Sequence, residues 1–283
     1  MNGSDNLQAK HTTCVHAGNR NEIHHGVNTP VYTSTAYGYL DTDERLYPRY
    51  FNIPNQRAVI EKIASLEHAE SGIIFSSGMA AVSSVLLSFL KSGDHCIFQK
   101  GLYGGTLHFI NSEFERFGIE YTVLKNNDAD SFAKAIKKNT RVIYVESPSN
   151  PLLSIIDLKK VAQLGIKYGC ISVIDNTFAS PINQNPVDHG IDIVLHSATK
   201  YLGGHSDICA GVVVSNKAYI QRITQTSVSF GGSLNALMCY LLERSIKTMA
   251  LRVEKQNLNA GLIAAFLQKH PGIDKVYYPG LNN

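Results

Sequence analysis

The sequence predicts an α/β protein built on a largely parallel sheet with helices on both faces. Three observations carry that expectation. Short apolar runs recur along most of the chain, segments with three- and four-residue apolar spacing separate them, and turn-forming residues mark each change of period. Strand and helix in turn require crossover connections, which make neighbouring strands parallel and place a ligand site at their carboxyl ends.

The expected buried strands are residues 72–75, 95–98, 121–124, 142–145, 171–174 and 191–195. Between them, residues 56–70, 78–91, 103–117, 128–138 and 157–168 carry the helical spacing. Residues 1–50 are rich in Thr, Tyr, His, Asn and Gly and hold no period, which predicts an extended arm that drapes over a neighbouring subunit. Residues 51–235 form the large domain. From about residue 233 to 270 the pattern is helical, and a short apparent strand, 275–278, follows. Residues 236–283 therefore read as a linking helix and the beginning of a smaller C-terminal α/β domain, cut off soon after it starts.

Composition narrows the function classes. With 283 residues, 44% hydrophobic and 17% charged, the chain has the apolar content and length for a substantial core and is not disordered. The net charge of +3 is scattered, not gathered into a stripe, which argues against nucleic acid as a partner. The longest apolar runs, 84–90 and 208–214, fall far short of the roughly 18 residues that span a bilayer. The start of the chain is polar, without a signal core, so the expectation is a cytoplasmic protein with no membrane partner. Five cysteines, an odd number with no Cys-x-x-Cys pair, argue against a disulfide framework or structural zinc. Cys96, Cys170 and Cys209 each stand beside Ile and read as buried thiols. His24-His25, His189, His196 and His205 share no helix face, so no metal is expected.

Five segments at strand ends carry chemistry. His196-Ser-Ala-Thr-Lys200 follows a buried strand. A lysine in a dry cleft loses its proton more easily because desolvation disfavours the charged amine, and such an amine forms Schiff bases. Ser197 and Thr199 flank it with hydroxyls suited to a phosphate; an ordinary strand-to-loop turn with a solvent lysine is the plainer alternative. Asp175 ends another apolar strand 25 residues earlier, where a carboxylate can hold a proton on a pyridine nitrogen or simply cap the next turn. Ser76-Ser-Gly-Met79 joins a strand to a helix, so the amides of Gly78 and Met79 form a phosphate cradle unless they only start the helix. Tyr103, at a glycine turn, can lie flat on an aromatic cofactor and relay a proton, or pack at the turn. Asn150, in the loop Glu146-Ser-Pro-Ser-Asn-Pro151, can face a cofactor hydroxyl or a substrate carboxylate; a rigid loop alone also accounts for the two prolines. A dinucleotide oxidoreductase is excluded, since no Gly-x-Gly-x-x-Gly turn follows the first strand.

Taken in this order, the segments resemble the cystathionine γ-synthase and γ-lyase family, trans-sulfuration enzymes that use pyridoxal 5′-phosphate. The similarity runs from Cys14-Val-His-Ala-Gly18 through Thr29-Pro-Val-Tyr-Thr-Ser-Thr35 to Tyr277-Tyr-Pro-Gly280, nearly the whole chain. It implies a fold type I enzyme with a mostly parallel seven-stranded sheet. It also implies Lys200 as the cofactor-bonded lysine and proton carrier, Asp175 on the ring nitrogen, and Tyr103 stacked on the ring. Gly78, Met79, Ser197 and Thr199 would hold the phosphate. Tyr47-Pro-Arg49 sits where the family's Tyr-x-Arg reaches the phosphate of the adjacent subunit, which implies a homo-oligomer with shared active sites, a dimer or tetramer. The chain departs from the family's Tyr-Ser-Arg and Asn-Pro-Thr with Tyr47-Pro-Arg49 and Asn52-Ile-Pro-Asn55, and has Gly105 where methionine γ-lyases have cysteine. The family's carboxylate-binding arginine is expected beyond Asn283. The implied reaction is γ-replacement or γ-elimination on homoserine-derived amino acids or cystathionine. Cystathionine β-lyase, O-acetylhomoserine sulfhydrylase and a silent cofactor-binding form stay open.

Overall fold

The computed structural model of the chain describes residues 3–19, 25–40 and 42–281, with side chains from residue 9 onward. His24 lies outside the described residues, as do positions 1, 2, 20–23, 41, 282 and 283. One seven-stranded sheet organises the chain, in the order β1 (Ser71–Phe75), β7 (Gly211–Ser215), β6 (Ile193–Ser197), β5 (Ile171–Asp175), β4 (Thr140–Glu146), β2 (His95–Phe98) and β3 (Glu120–Val123). The six expected strands all form, with ends shifted by no more than two residues, but the one expected to be buried at 121–124 is the sheet's edge strand β3 and is mostly exposed. The seventh comes from the apolar run 208–214, whose Val212, Val213 and Val214 are fully buried. The connection 198–210 contains no helix, so β7 returns beside β6 antiparallel; it is also antiparallel to β1, and the other pairs are parallel. Consequently β1, β2, β4, β5 and β6 all end on one edge.

Helices α2 (Pro54–Leu66), α3 (Gly78–Phe89), α4 (Gly104–Glu113), α5 (Ala129–Ala135), α6 (Leu158–Tyr168), α7 (Ser180–Asn183) and α8 (Lys217–Phe230) connect and cover the strands. Ser77, Asp128, Asp157 and Asn216 cap α3, α5, α6 and α8 by accepting from the amide three residues on, each worth about 1 kcal/mol. Period two divides each strand between two cores. In β5, Val173 packs with Phe75, Val82, Phe98 and Tyr144 on the α3 face, while Ile174 packs with Ile63, Val145, Val161 and Val194 on the opposite face. Glu146, Asp175 and Ser197 have the parity of Tyr144, Val173 and Leu195, and so end their strands toward α3 and α4.

Three expectations about the ends of the chain need correction. The arm expected over 1–50 is not extended throughout, because Gly3–His16 forms a helix, α1. Long-range contacts fix it where local pattern is silent. Cys14 is fully buried in the core, and the Lys10 Nζ donates to Pro181 O and Asn185 Oδ1, both at 2.7 Å. The Lys62 ammonium closes the end of α1 by donating to the carbonyls of Val15 and Ala17. The described residues between 25 and 47 form no helix or strand, and Tyr39 and Leu40 are exposed. The second correction concerns the C-terminal helix, which is two: α9 (Ala236–Ile246) and α10 (Met249–Gln268). Arg252 reaches back across the break to Ser245 O at 3.0 Å and Thr248 Oγ1 at 3.2 Å, satisfying a carbonyl that the end of α9 frees. Residues 275–278 form no strand, since no neighbour offers a ladder. No helix among the described residues is long and apolar enough to cross a membrane.

Candidate active site

The strand ends on the shared edge border a cleft of about 970 Å³. Gly78, Met79, Tyr103, Asn150, Asp175, Ser197, Thr199 and Lys200 all line it. These are eight of the ten residues expected at the site, gathered from separate segments by the topology. Tyr47 and Arg49 are not among them. Both are exposed, Arg49 Nη1 donates to Val228 O at 2.7 Å, and its guanidinium lies over the rings of Tyr47 and Tyr50.

One end of the cleft is the start of α3. The Ser77 hydroxyl caps the helix by accepting from Ala80 N at 3.0 Å, which leaves the first-turn amides of Gly78 and Met79 without helix partners at its positive end. A Cβ on Gly78 would lie 2.8 Å from Ser197 Cβ, so only glycine lets this backbone pass so close to that hydroxyl. The Thr199 hydroxyl donates to Ala210 O at 3.2 Å and accepts from Ala210 N at 3.0 Å. Its one hydrogen thus pins the lysine turn, and serving an anion would require it to rotate away from Ala210.

Lys200 stands in a tight turn held by Lys200 N to Ser197 O at 3.1 Å, Gly203 N to Ala198 O at 2.8 Å and Gly204 N to Lys200 O at 2.7 Å. Arg252 on α10 braces this turn by donating to Tyr201 O at 2.9 Å. The side chain of Lys200 is exposed to the cleft.

At the far wall lie two buried carboxyls, Asp175 and Glu146, paired in register on β5 and β4. Asp175 Oδ1 accepts from Thr177 N at 3.0 Å; burial pushes its carboxyl above the usual range, and the hydrogen bonds from Thr177 oppose that shift. Glu146 is pushed up to about 7, chiefly by burial and then by the charge of Asp175. Its oxygens accept from Tyr103 N at 2.9 Å and Asn150 N at 3.0 Å. Behind β6, on the other face, His196 Nε2 pairs with Glu67 Oε1 at 2.7 Å, and Asn176 Nδ2 donates to the same oxygen at 2.8 Å. This network ties the end of α2 to the strand ends.

The model of the family described as Cys/Met metabolism PLP-dependent enzymes matches residues 11–283. The chain belongs to that family. Cystathionine beta-lyase of Bacillus subtilis (strain 168) is 45% identical over 229 residues, 81% of this chain and 58% of that protein. L-methionine gamma-lyase of Fusobacterium nucleatum is 39% identical over 284 residues, covering 95% of this chain and 72% of its own. The crystal structure of cystathionine gamma-lyase from Lactobacillus plantarum, complexed with L-serine, superposes with a TM-score of 0.92 at 37% identity, over 96% of this chain and 72% of that one. The chain thus spans 58 to 72% of the lengths of these relatives.

As a member of this family the protein is a fold type I enzyme whose cofactor is pyridoxal 5′-phosphate. The residues present fit that group. A glycine-only approach beside a serine hydroxyl and two helix amides at the start of α3 suits a phosphate, and a buried carboxyl that forms no ion pair among the described residues suits a protonated ring nitrogen.

Several cleft residues escaped the reading of the sequence. Glu146 carried the same signal as Asp175, an acid closing an apolar strand, and Thr177 lay two residues past Asp175. Arg252 and Gln256 line the cleft from α10 with no local signal. Cys209, expected to be buried, is exposed and lines the cleft, while the other four thiols are buried.

Proposed function

We propose that this chain carries out carbon–sulfur bond chemistry on amino acids derived from cysteine or homoserine, with cystathionine as the first substrate to test. The observation that carries this reading is the convergence of Lys200, Asp175 and the amides of Gly78 and Met79 on one cleft. Pyridoxal phosphate supplies, when bound, a carbonyl that condenses with amines and a ring that accepts negative charge from the substrate's α-carbon. The amides of Gly78 and Met79, with Ser197, hold the phosphate, while the Asp175 carboxylate keeps a proton on the ring nitrogen. Tyr103 and Asn150, which line the same cleft, would hold the cofactor's ring and its hydroxyl or the substrate carboxylate. Lys200 Nζ binds the cofactor and moves the substrate's α-proton.

The 40 to 45% identity to bacterial cystathionine beta-lyases supports β-elimination alongside the γ-elimination or γ-replacement implied by the motifs. Against methionine γ-elimination stands Gly105, where a Cβ would meet Tyr103 Cε1 at 2.6 Å. Tyr47 and Arg49, exposed and turned to the surface, fit a role in a neighbouring subunit's cleft, and the exposed residues of the 25–47 segment fit an arm laid on that neighbour. Incubation with cystathionine decides among the readings. γ-Cleavage releases cysteine, ammonia and 2-oxobutyrate, whereas β-cleavage releases homocysteine, ammonia and pyruvate. Absence of both keto acids, with cofactor bound and no turnover of homoserine esters, would overturn the catalytic reading.

A further inference from the structure

We infer that Glu146 is a positioning residue whose two carboxylate oxygens hold the loop bearing Tyr103 and the loop bearing Asn150 at a fixed spacing along the cleft wall. The inference rests on the reading of Tyr103 and Asn150 as residues that face the cofactor.

Tyr103 and Asn150 belong to different loops, one after β2 and one after β4. Neither is held by burial: Tyr103 is 48% exposed, Asn150 is exposed, and α4 starts at Tyr103 without a side-chain cap. The backbone amides of both donate to one carboxylate, Tyr103 N to Oε2 at 2.9 Å and Asn150 N to Oε1 at 3.0 Å, the one side chain among the described residues that the two loops share in this way. Glu146 is itself immobile. It is 6% exposed, and the buried side chain of Gln99 accepts from Glu146 N and donates to Glu146 O, both at 2.7 Å. The carboxylate is therefore a fork that joins two loops otherwise held separately, the first by Asn127 on the backbone of Lys100 and the second by Ser149 N to Ser154 O at 3.1 Å and Ile156 N to Ser147 Oγ at 3.0 Å. A fork of this kind acts on the cofactor only through Tyr103 and Asn150, so its loss changes how the cofactor is held more than whether the chain folds.

The test uses the full-length apo-protein and pyridoxal 5′-phosphate. Glu146→Gln keeps the shape but turns one acceptor oxygen into an amide donor facing a backbone N–H, which releases one loop; Glu146→Ala releases both. For Glu146→Gln, measured at pH 8 where the wild-type carboxyl is ionised, the expected result is a cofactor dissociation constant raised about tenfold, an effect of the size expected for losing one charge-assisted hydrogen bond. The circular dichroism that the site induces in the bound cofactor is expected to fall by about half. In hydrogen exchange, the Tyr103 and Asn150 amides are slow in wild-type apo-protein, and at least one becomes about tenfold faster in the variant. Unchanged affinity and unchanged induced dichroism in Glu146→Gln would overturn the role. So would exchange of both amides at free-loop rates in the wild type, a measurement that stands even if the variants do not fold. Wild-type protein that takes up no pyridoxal phosphate would instead overturn the reading of Tyr103 and Asn150 on which the role depends, whatever the exchange rates.

Discussion

Gly78 and Ser197 face each other so closely that a side-chain carbon on Gly78 would lie 2.8 Å from Ser197 Cβ and 3.1 Å from its Cα. The two residues come from opposite ends of the same piece of construction, the first from the start of α3 and the second from the end of β6. Their approach is what turns a helix N-terminus into a cradle. Two helix amides and one hydroxyl meet where no side chain intervenes.

Gly78→Ala is therefore expected to separate folding from cofactor binding. Alanine favours the helix by about 1 kcal/mol, and the clash at Ser197 costs about 1–3 kcal/mol, so the apo-protein loses at most about 2 kcal/mol of stability. The methyl group, however, occupies the cradle. Titration of apo-protein with pyridoxal phosphate should show affinity at least about tenfold weaker; equal affinity would remove Gly78 from the phosphate site.

Lys200 supplies the amine among the residues at the sheet edge, in a turn closed by Gly204 N to Lys200 O at 2.7 Å. Lys200→Ala should lose the long-wavelength absorbance of bound cofactor together with turnover. Borohydride reduction of the wild-type holoprotein followed by peptide mapping should label Lys200, and a label on any other lysine would move the assignment.

Asp175 keeps an acceptor for Thr177 N when changed to asparagine, so Asp175→Asn should fold and still bind the cofactor. The variant cannot keep a proton on the ring nitrogen. Losing a hydrogen bond to a charged group, about 1.5–3 kcal/mol, predicts turnover lower by about 10- to 150-fold at saturating substrate. Turnover within a factor of two of the wild type would leave Asp175 a purely structural strand end.

The inner strands were legible because burial on both faces writes them as continuous apolar runs, whereas β3, mostly exposed at the sheet edge, reads from its β-branched and aromatic residues; the parallel sheet then sends the strands' carboxyl ends, with Asp175 and the approach to Lys200, to one edge. What local pattern could not express was any feature decided by distant partners. α1 is polar and becomes helical around buried Cys14 and the reach of Lys10 to the 181–185 segment. The break between α9 and α10 is stabilised by Arg252 folding back on Ser245, a contact invisible in a continuous helical spacing. Arg252 also joins the cleft from 52 positions beyond Lys200, so no motif around the lysine announces it. Tyr47 and Arg49 were recognisable as a motif, yet their contacts within this chain are with each other, with Tyr50, with the side chain of Asn52 and with the carbonyl of Val228.

Glu146 should leave its mark on the pH dependence of stability. Its carboxyl is pushed up to about 7 by burial and by Asp175, against an ordinary value of 4.5 in the unfolded chain. Between those two values the folded protein holds a proton that the unfolded chain has released, so stability falls as pH rises through this window and levels off above about 7. At about 1.4 kcal/mol per pKa unit the loss is about 3 kcal/mol. Asp175 is shifted in the same direction, so the wild-type curve alone does not isolate Glu146. Glu146→Gln does not titrate and supplies the reference. In urea unfolding of the two apo-proteins, the stability of the wild type relative to the variant should drop by about 3 kcal/mol between pH 4.5 and 8. Parallel curves would mean that Glu146 ionises as readily in the folded protein as in the open chain, and that Asp175 exerts no repulsion on it.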